Sequence, residues 1–163
     1  MPVRAAVPED AERIANVIVH AWQEAYAHVF PAERLARLDA ARRAAFWRER
    51  IAAGDTLLVT DDATGFVSIG PSRDPDGEGT GEVYAIYVDP EHWDTGRGWE
   101  LMEAAVVALQ EAGFEEATLW VLEDNPRARR FYERAGWATD GTTKEDEFLQ
   151  TRVREVRYRV SLV

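Results

Sequence analysis

Asn125-Pro126-Arg127-Ala128-Arg129-Arg130-Phe131-Tyr132-Glu133-Arg134-Ala135-Gly136-Trp137 is the stretch whose reading decides the fold. An asparagine side chain can accept a hydrogen bond from the open amides of a helix start, so Asn125 is a good N-cap. Pro126 suits the first helical position, where a missing N–H costs nothing. Ala128, Phe131, Tyr132 and Ala135 fall at i, i+3, i+4 and i+7 and form one apolar face. Gly136 ends the helix as a left-handed C-cap does. Taken alone, this is a capped core helix with Tyr132 as packing.

A second element upstream changes its meaning. Glu82-Val83-Tyr84-Ala85-Ile86-Tyr87-Val88 is a β-rich apolar run, and Leu101, Met102, Ala105, Val106, Ala108 and Leu109 lay out a helix. Between them lies Asp89-Pro90-Glu91-His92-Trp93-Asp94-Thr95-Gly96-Arg97-Gly98-Trp99. Strand, glycine loop and helix start, in that order, expose backbone N–H groups at a positive helix end, which suits a phosphate. Two glycines in a loop also describe an ordinary connection. The pairing of this loop with the Asn125–Trp137 helix, one strand later, is much more specific.

On these two motifs the chain resembles the GNAT superfamily of acyl-CoA-dependent N-acetyltransferases, from Val3-Arg4 to Arg157-Tyr158-Arg159-Val160. Gly96 and Gly98 match the family's Gln/Arg-x-x-Gly-x-Gly/Ala loop. Trp93 stands where Gln or Arg is usual, a familiar subfamily variant. The resemblance implies acetyl-CoA as cosubstrate, no metal, and an acceptor amine on a small molecule or peptide. It implies that the loop amides of Asp94, Thr95, Gly96, Arg97, Gly98 and Trp99 bind the CoA pyrophosphate, and that Trp93, which opens the loop, belongs to the same cofactor site. The backbone of Ile86, Tyr87 and Val88 would hydrogen-bond the pantetheine arm, Asn125 would touch the same arm, and Tyr132 would protonate the departing thiolate. Two loop positions depart from the pattern. Asp94 and Thr95 stand where glycine and a basic residue are common, and Asp94 sets a negative charge beside the pyrophosphate unless it turns outward. Arg97, where an apolar residue is common, restores positive potential on this reading. A non-catalytic acyl-CoA sensor on the same fold is the alternative to a working enzyme.

Composition agrees with one globular domain spanning residues 1–163, with 46% hydrophobic and 30% charged residues. No run approaches the roughly 20 apolar residues of a membrane span. Charges at Arg4, Glu9, Asp10, Glu12 and Arg13 interrupt any signal-peptide pattern, and there is no cysteine, which fits a cytoplasmic protein without disulfides. A net charge of −11 argues against nucleic acid or anionic membrane as partner and would steer cationic substrates inward.

The expected fold is α/β: a mixed, twisted sheet of about six to seven strands flanked by helices, because strands alternate with helices until a final pair that lacks a helical crossover. The expected order is a strand at 3–7, a helix from Pro8 to about Val29, a second from Arg34 to Ile51, and strands at Thr56–Thr60 and Gly65–Ile69. A flexible acidic loop at Pro71–Gly81 follows, then the strand Gly81–Val88, the helix Arg97–Ala112, the strand Ala117–Leu122, the helix Pro126–Ala135 and two late strands. Asp140–Gln150 reads as loop, with Lys144–Glu147 as solvated surface. The late strands could pair across a two-fold axis as a homodimer.

Acetyl transfer to an amine needs a neutral amine, help for the carbonyl oxygen and a proton for the leaving sulfur. An alkyl amine of pKa about 10.4 is almost wholly protonated at neutral pH, so a carboxylate must take its proton. Glu82 is the candidate base. Period-two alternation would place it on one face with Tyr84, Ile86 and Val88, and relatives resembling histone acetyltransferases carry a glutamate eleven residues before the loop motif. The competing reading is a solvent-facing glutamate at a strand start. Some relatives keep a base on the next strand, where this chain has Trp120; Glu123 and His20 are substitutes. Near the end of the first helix, Glu24 and Tyr26 are the candidate substrate contacts, while Trp22 reads as core. Three scattered histidines give no metal-ligand spacing.

Overall fold

The computed structural model describes residues 2–163. Seven strands form one sheet: β1 (Val3–Ala5), β2 (Thr56–Thr60), β3 (Gly65–Pro71), β4 (Gly81–Val88), β5 (Glu116–Leu122), β6 (Ala138–Phe148) and β7 (Thr151–Ser161). Their spatial order is β1-β2-β3-β4-β5-β7-β6. Helices α1 (Ala11–Ala25), α2 (Ala32–Leu35), α3 (Ala40–Ala52), α4 (Arg97–Glu111) and α5 (Pro126–Arg134) complete the α/β domain. Only β4 and β5 run parallel, because α4 carries the chain from the end of one to the start of the other.

The sheet buries both faces. Leu101, Met102, Ala105 and Leu109 of α4 pack with Val67, Val83, Leu119 and Tyr158 on one side, joined by Phe131 and Tyr132 of α5. Ile14, Val17 and Ile18 of α1 pack with Leu57, Val59 and Phe66 on the other. A third cluster ties the end of α1 and the segment after it to the last hairpin, through Tyr26, Phe30, Leu35, Leu122 and Phe148.

The β4–β5 ladder stops early. Its register runs Gly81↔Ala117, Glu82↔Thr118, Val83↔Leu119, and beyond that the strands diverge. The cause lies in β4, where the register with β3 passes from Ser68↔Ala85 to Ile69↔Val83 and leaves Tyr84 as an extra residue. A bulge bends its strand and raises the local twist. It also resets the side-chain alternation. Val83, Ile86 and Val88 pack toward α4, whereas Ala85 and Tyr87 pack toward α1. The expected common face of Glu82, Tyr84, Ile86 and Val88 is therefore broken at the bulge. Glycine at 70 accommodates the inserted residue, since a Cβ there would lie 2.9 Å from the Tyr84 ring.

Other differences from the sequence reading have local causes. The first helix ends at Ala25 rather than near Val29 and is preceded by a 3-10 turn at Pro8–Asp10. The expected second helix divides into α2 and α3 because Asp39 caps a new start, its side chain accepting from the Arg42 amide at 3.2 Å. Asp140–Gln150, read as loop, forms most of the edge strand β6. Its polar residues are held by cross-strand partners of opposite charge, Lys144↔Glu155, Glu145↔Arg154 and Glu147↔Arg152. The hairpin turn itself uses Leu149 and Gln150 at φ 49° and 61°. Left-handed torsions at both positions match a primed two-residue turn, but the usual Asn-Gly signature is missing. The acidic Pro71–Gly81 segment is pinned rather than loose. The buried Arg157 guanidinium on β7 lies 3.1 Å from Asp74, 2.8 Å from Asp76 and 2.7 Å from Asp140.

Candidate active site

Where β4 and β5 part, a cleft of about 950 Å³ opens. Past Val83 the inner edge of β4 has no strand partner, so the backbone of Ile86, Tyr87 and Val88 borders the cleft with main-chain groups to offer.

One end of the cleft is the start of α4. Gly96 occupies its N-cap at φ 87° and brings no side-chain cap. The first amides of the helix, on Arg97, Gly98 and Trp99, are thus left open at the positive end of a 15-residue helix. The torsional demand falls on Gly96. Gly98 lies within the first helical turn, and a Cβ there would sit 3.5 Å from the Phe131 ring, an ordinary contact. The Trp93 indole N–H donates to the Val88 carbonyl at 2.8 Å, which fastens the loop to β4. Asp94 turns outward, its side chain 85% exposed and 3.4 Å from Arg127. Arg127 also stacks on the Trp93 ring at 4.1 Å. Thr95 donates to the His92 carbonyl and accepts from Arg97.

Arg97 does not face the cleft. Its guanidinium is 2.9 Å from Asp62. Burial alone would raise the Asp62 carboxyl, yet hydrogen bonds from Thr64, Arg97 and Thr60 hold it below the ordinary range. The positive potential expected from Arg97 comes instead from Arg127, Arg130 and Arg134 of α5, which line the cleft. Their i, i+3, i+7 spacing was visible in the sequence and marks one helix face.

Tyr132 lines the cleft, 7% exposed, with its ring 5.6 Å from Phe131 and 5.9 Å from Tyr158. Burial, then the neighbouring Tyr87 and Tyr158, pushes its hydroxyl above the ordinary phenol range. No hydrogen bond joins that hydroxyl to another described residue. Asn125 is buried and committed twice: its oxygen caps the Ala128 amide at 3.1 Å, and its Nδ2 donates to the Tyr26 hydroxyl at 3.1 Å. Tyr26 lines the cleft, also packed on Trp22.

The other end is acidic and aromatic. Glu82 lies on the cleft wall but is only 1% exposed, so it is not a solvent-facing glutamate. It accepts from the Arg73 amide at 2.9 Å and the Arg73 guanidinium at 2.8 Å. That guanidinium covers the Tyr84 ring at 4.2 Å. Residues not expected at the site complete this end: Asp74, Trp120, Lys144, Asp146, Phe148 and Glu155. Trp120 donates to Asp74 at 3.0 Å. Burial raises the Glu155 carboxyl, with partial relief from Lys144. Its charge in turn is felt by Tyr26 and Tyr87. Lys144 and Asp146, expected on solvated surface, are cleft residues because β6 is a strand. Glu24 and His20 are exposed on α1, Glu123 is exposed in the turn after β5, and none of the three is part of the lining. No cluster of three or more histidines or carboxylates suited to a metal occurs among the described residues, and none of their helices is long and apolar enough to cross a membrane.

The cleft between the diverging parallel strands β4 and β5 thus has a helix start without a side-chain cap on one side and buried carboxylates among aromatic rings on another. Residues 15–137 match the sequence model of the acetyltransferase (GNAT) family. The uncharacterized N-acetyltransferase YuaI of Bacillus subtilis (strain 168) is 34% identical over 128 residues, 76% of this chain and 73% of that protein. A mycothiol acetyltransferase of Propionibacterium freudenreichii is 39% identical over 88 residues, 53% of this chain but only 28% of that one. Among solved structures, the PaiA N-acetyltransferase of Thermoplasma acidophilum, in complex with coenzyme A, superposes with a TM-score of 0.75 at 18% identity, covering 98% of both chains. YncA of Salmonella typhimurium, solved with its cofactor acetyl-CoA, gives 0.74 at 22% identity, covering 100% of this chain and 94% of that one. These two likenesses concern the fold. The chain belongs to the GNAT acetyltransferase family. It is a GNAT-type N-acetyltransferase.

Proposed function

We propose that the protein moves acetyl from acetyl-CoA to a primary amine of a small molecule or peptide, by direct attack within a ternary complex. The observation that carries this reading is the set of groups that line one cleft: an open helix start with arginines beside it, the Tyr132 hydroxyl, and carboxylates among aromatic rings. The chain has no cysteine to hold acetyl in transit, which favours direct attack.

In this scheme the amides of 94–99 hold the pyrophosphate, with Trp93 fastening the loop and Arg127 adding charge. Ile86, Tyr87 and Val88 present main-chain partners to the pantetheine arm, and Asn125 keeps one Nδ2 hydrogen for it. Tyr132 protonates the leaving thiolate. Its raised pKa keeps the phenol protonated until the thiolate forms, and a thiolate expelled into the same buried space is made more basic by the same loss of solvent. Glu82 takes the amine proton through a bridging water or after Arg73, 64% exposed, swings aside. Tyr26 contributes to the acceptor wall. Asp74, Glu82, Asp146 and Glu155 make that end attractive to cationic amines.

The test is thiol release on mixing the protein with acetyl-CoA and a panel of polyamines, aminoglycosides and peptides. Release that depends on one acceptor class supports the reading. CoA binding with no release across the panel would instead favour a binding module that has lost turnover.

A further inference from the structure

Lys144 is the only lysine in the chain; the other eighteen basic side chains are arginines. An arginine stays protonated in a protein and offers no nucleophilic nitrogen. The single side-chain amine is placed in the cleft. Strand pairing sets Lys144 opposite Glu155 on β7, and Glu155 opposite Leu122 on β5. The Nζ atom lies 3.5 Å from Glu155 Oε2 and 4.2 Å from the centre of the Trp120 ring. An aromatic face and a carboxylate, with Glu155 only 13% exposed, form the kind of cradle an ammonium prefers. Tyr132 borders the same cleft.

We propose that Lys144 is itself an acceptor of this enzyme, and that the chain acetylates its own Nζ between Trp120 and Glu155. The proposal rests on the acetyl-transfer reading above. Glu155 takes one proton from the ammonium. The neutral amine attacks the thioester carbonyl, the C–N bond forms and the C–S bond breaks. The thiolate receives its proton from Tyr132, and the second amine proton restores the phenol. A tethered amine has a large effective concentration, so no encounter step limits it. The product is neutral. It gives up both the ion pair and the cation–ring contact, and once Glu155 has passed its proton to solvent the carboxylate and the Trp120 face are open to a cationic acceptor arriving from solution.

The experiment is mass spectrometry of the purified protein incubated with acetyl-CoA and no added amine, with peptide mapping. One acetyl group on Lys144 is expected, at a rate independent of protein concentration. Lys144→Arg keeps the charge and should take no acetyl group. Glu155→Gln should slow the modification on the order of 10²-fold, as expected for loss of a general base. Tyr132→Phe should slow it as well, which separates it from spontaneous chemistry. An unmodified Lys144 in a preparation that releases thiol with the amine panel overturns the proposal and leaves the transferase reading standing. Acetyl confined to the terminal amine, or a rate proportional to protein concentration, overturns it too. No modification together with no thiol release from any amine would sink both.

Discussion

The two ends of the cleft are built from different materials. The end at α4 is mainly backbone: open amides at Arg97, Gly98 and Trp99, a left-handed Gly96, and arginines from one face of α5. The opposite end is side chains contributed by five separate places, namely the end of α1 with Tyr26, the 71–81 segment, β4, β5 and the β6–β7 hairpin. The first end carries positive charge and the second negative, within one cleft of a protein whose net charge is −11. A backbone site recognises what every acyl-CoA shares. A side-chain site recognises what distinguishes one acceptor from another. The two ends should therefore answer differently to mutation, salt and pH.

The largest expected effect falls on the backbone end. Gly98→Val should lower CoA affinity by more than tenfold, about 1.4 kcal/mol, because a branched side chain enters the space between the amides and a phosphate. A Cβ alone meets only ordinary contacts at Phe131 and Val88, so Gly98→Ala should keep its Tm and serves as the folding control. Calorimetric titration with CoA reads the first quantity and a thermal melt the second; retained affinity would move the phosphate site elsewhere.

At the acidic end, Glu82→Gln should depress turnover most near neutral pH and recover toward high pH, where the amine is already neutral, with CoA affinity kept. A pH–rate profile of unchanged shape would transfer the proton-accepting role to Glu155.

Stability separates the ends more gently. Asp62, beneath the α4 loop, and Asp10 and Asp140 have carboxyls held below their ordinary range. For Asp10 the leading cause is the hydrogen bond from Arg4; for Asp140, partners at Thr142 and Arg157 outweigh burial. Such groups stabilise the fold above the unfolded carboxyl pKa of about 3.9, and that stability is lost as pH falls through the folded value. Glu155 is raised, so its contribution has the opposite sign: present at low pH and lost as pH rises through its folded value. Urea denaturation at pH 6 and pH 3 should show a net acid loss that is smaller in Asp62→Asn, since that variant has no such carboxylate to protonate.

The smallest effect belongs to Asp94→Gly. The side chain points to solvent beside Arg127, so removing its charge should tighten CoA binding by about threefold or less, and less again at higher salt. A large gain would mean that Asp94 turns inward when the cofactor arrives.

The same division explains what could be read from the sequence. Glycines, an N-cap and an apolar stripe are local signals, so the α4 loop, α5 and the alternating strand–helix order were legible along with Tyr132 and Asn125. The bulge at Tyr84 was not, because alternation along β4 gives no sign of an inserted residue. It moved Ile86 and Val88 to the face opposite Glu82. The edge strand β6 was hidden by its charges, which only the partner strand β7 makes sense of, and by a Leu149-Gln150 turn without glycine. With β6 went Lys144 and Asp146, and with them the role of Glu155, the partner of Lys144 on β7. Arg157 was unreadable as the residue that pins the acidic segment, since its partners Asp74, Asp76 and Asp140 are far away in sequence. A backbone site leaves its mark locally, whereas a side-chain site exists only once distant strands have paired.

The claim that joins the two ends is that Tyr132, in the same cleft, gives its proton to the leaving thiolate. Turnover of Tyr132→Phe, measured by thiol release with CoA affinity determined on the same preparation, tests it most directly. The ring and its packing against Phe131 and Tyr158 stay, and only the hydroxyl goes. The expected result is a fall in kcat on the order of 10²–10⁴-fold with CoA affinity essentially unchanged. Wild-type turnover across the pH range would show that Tyr132 is packing alone, and would contradict it.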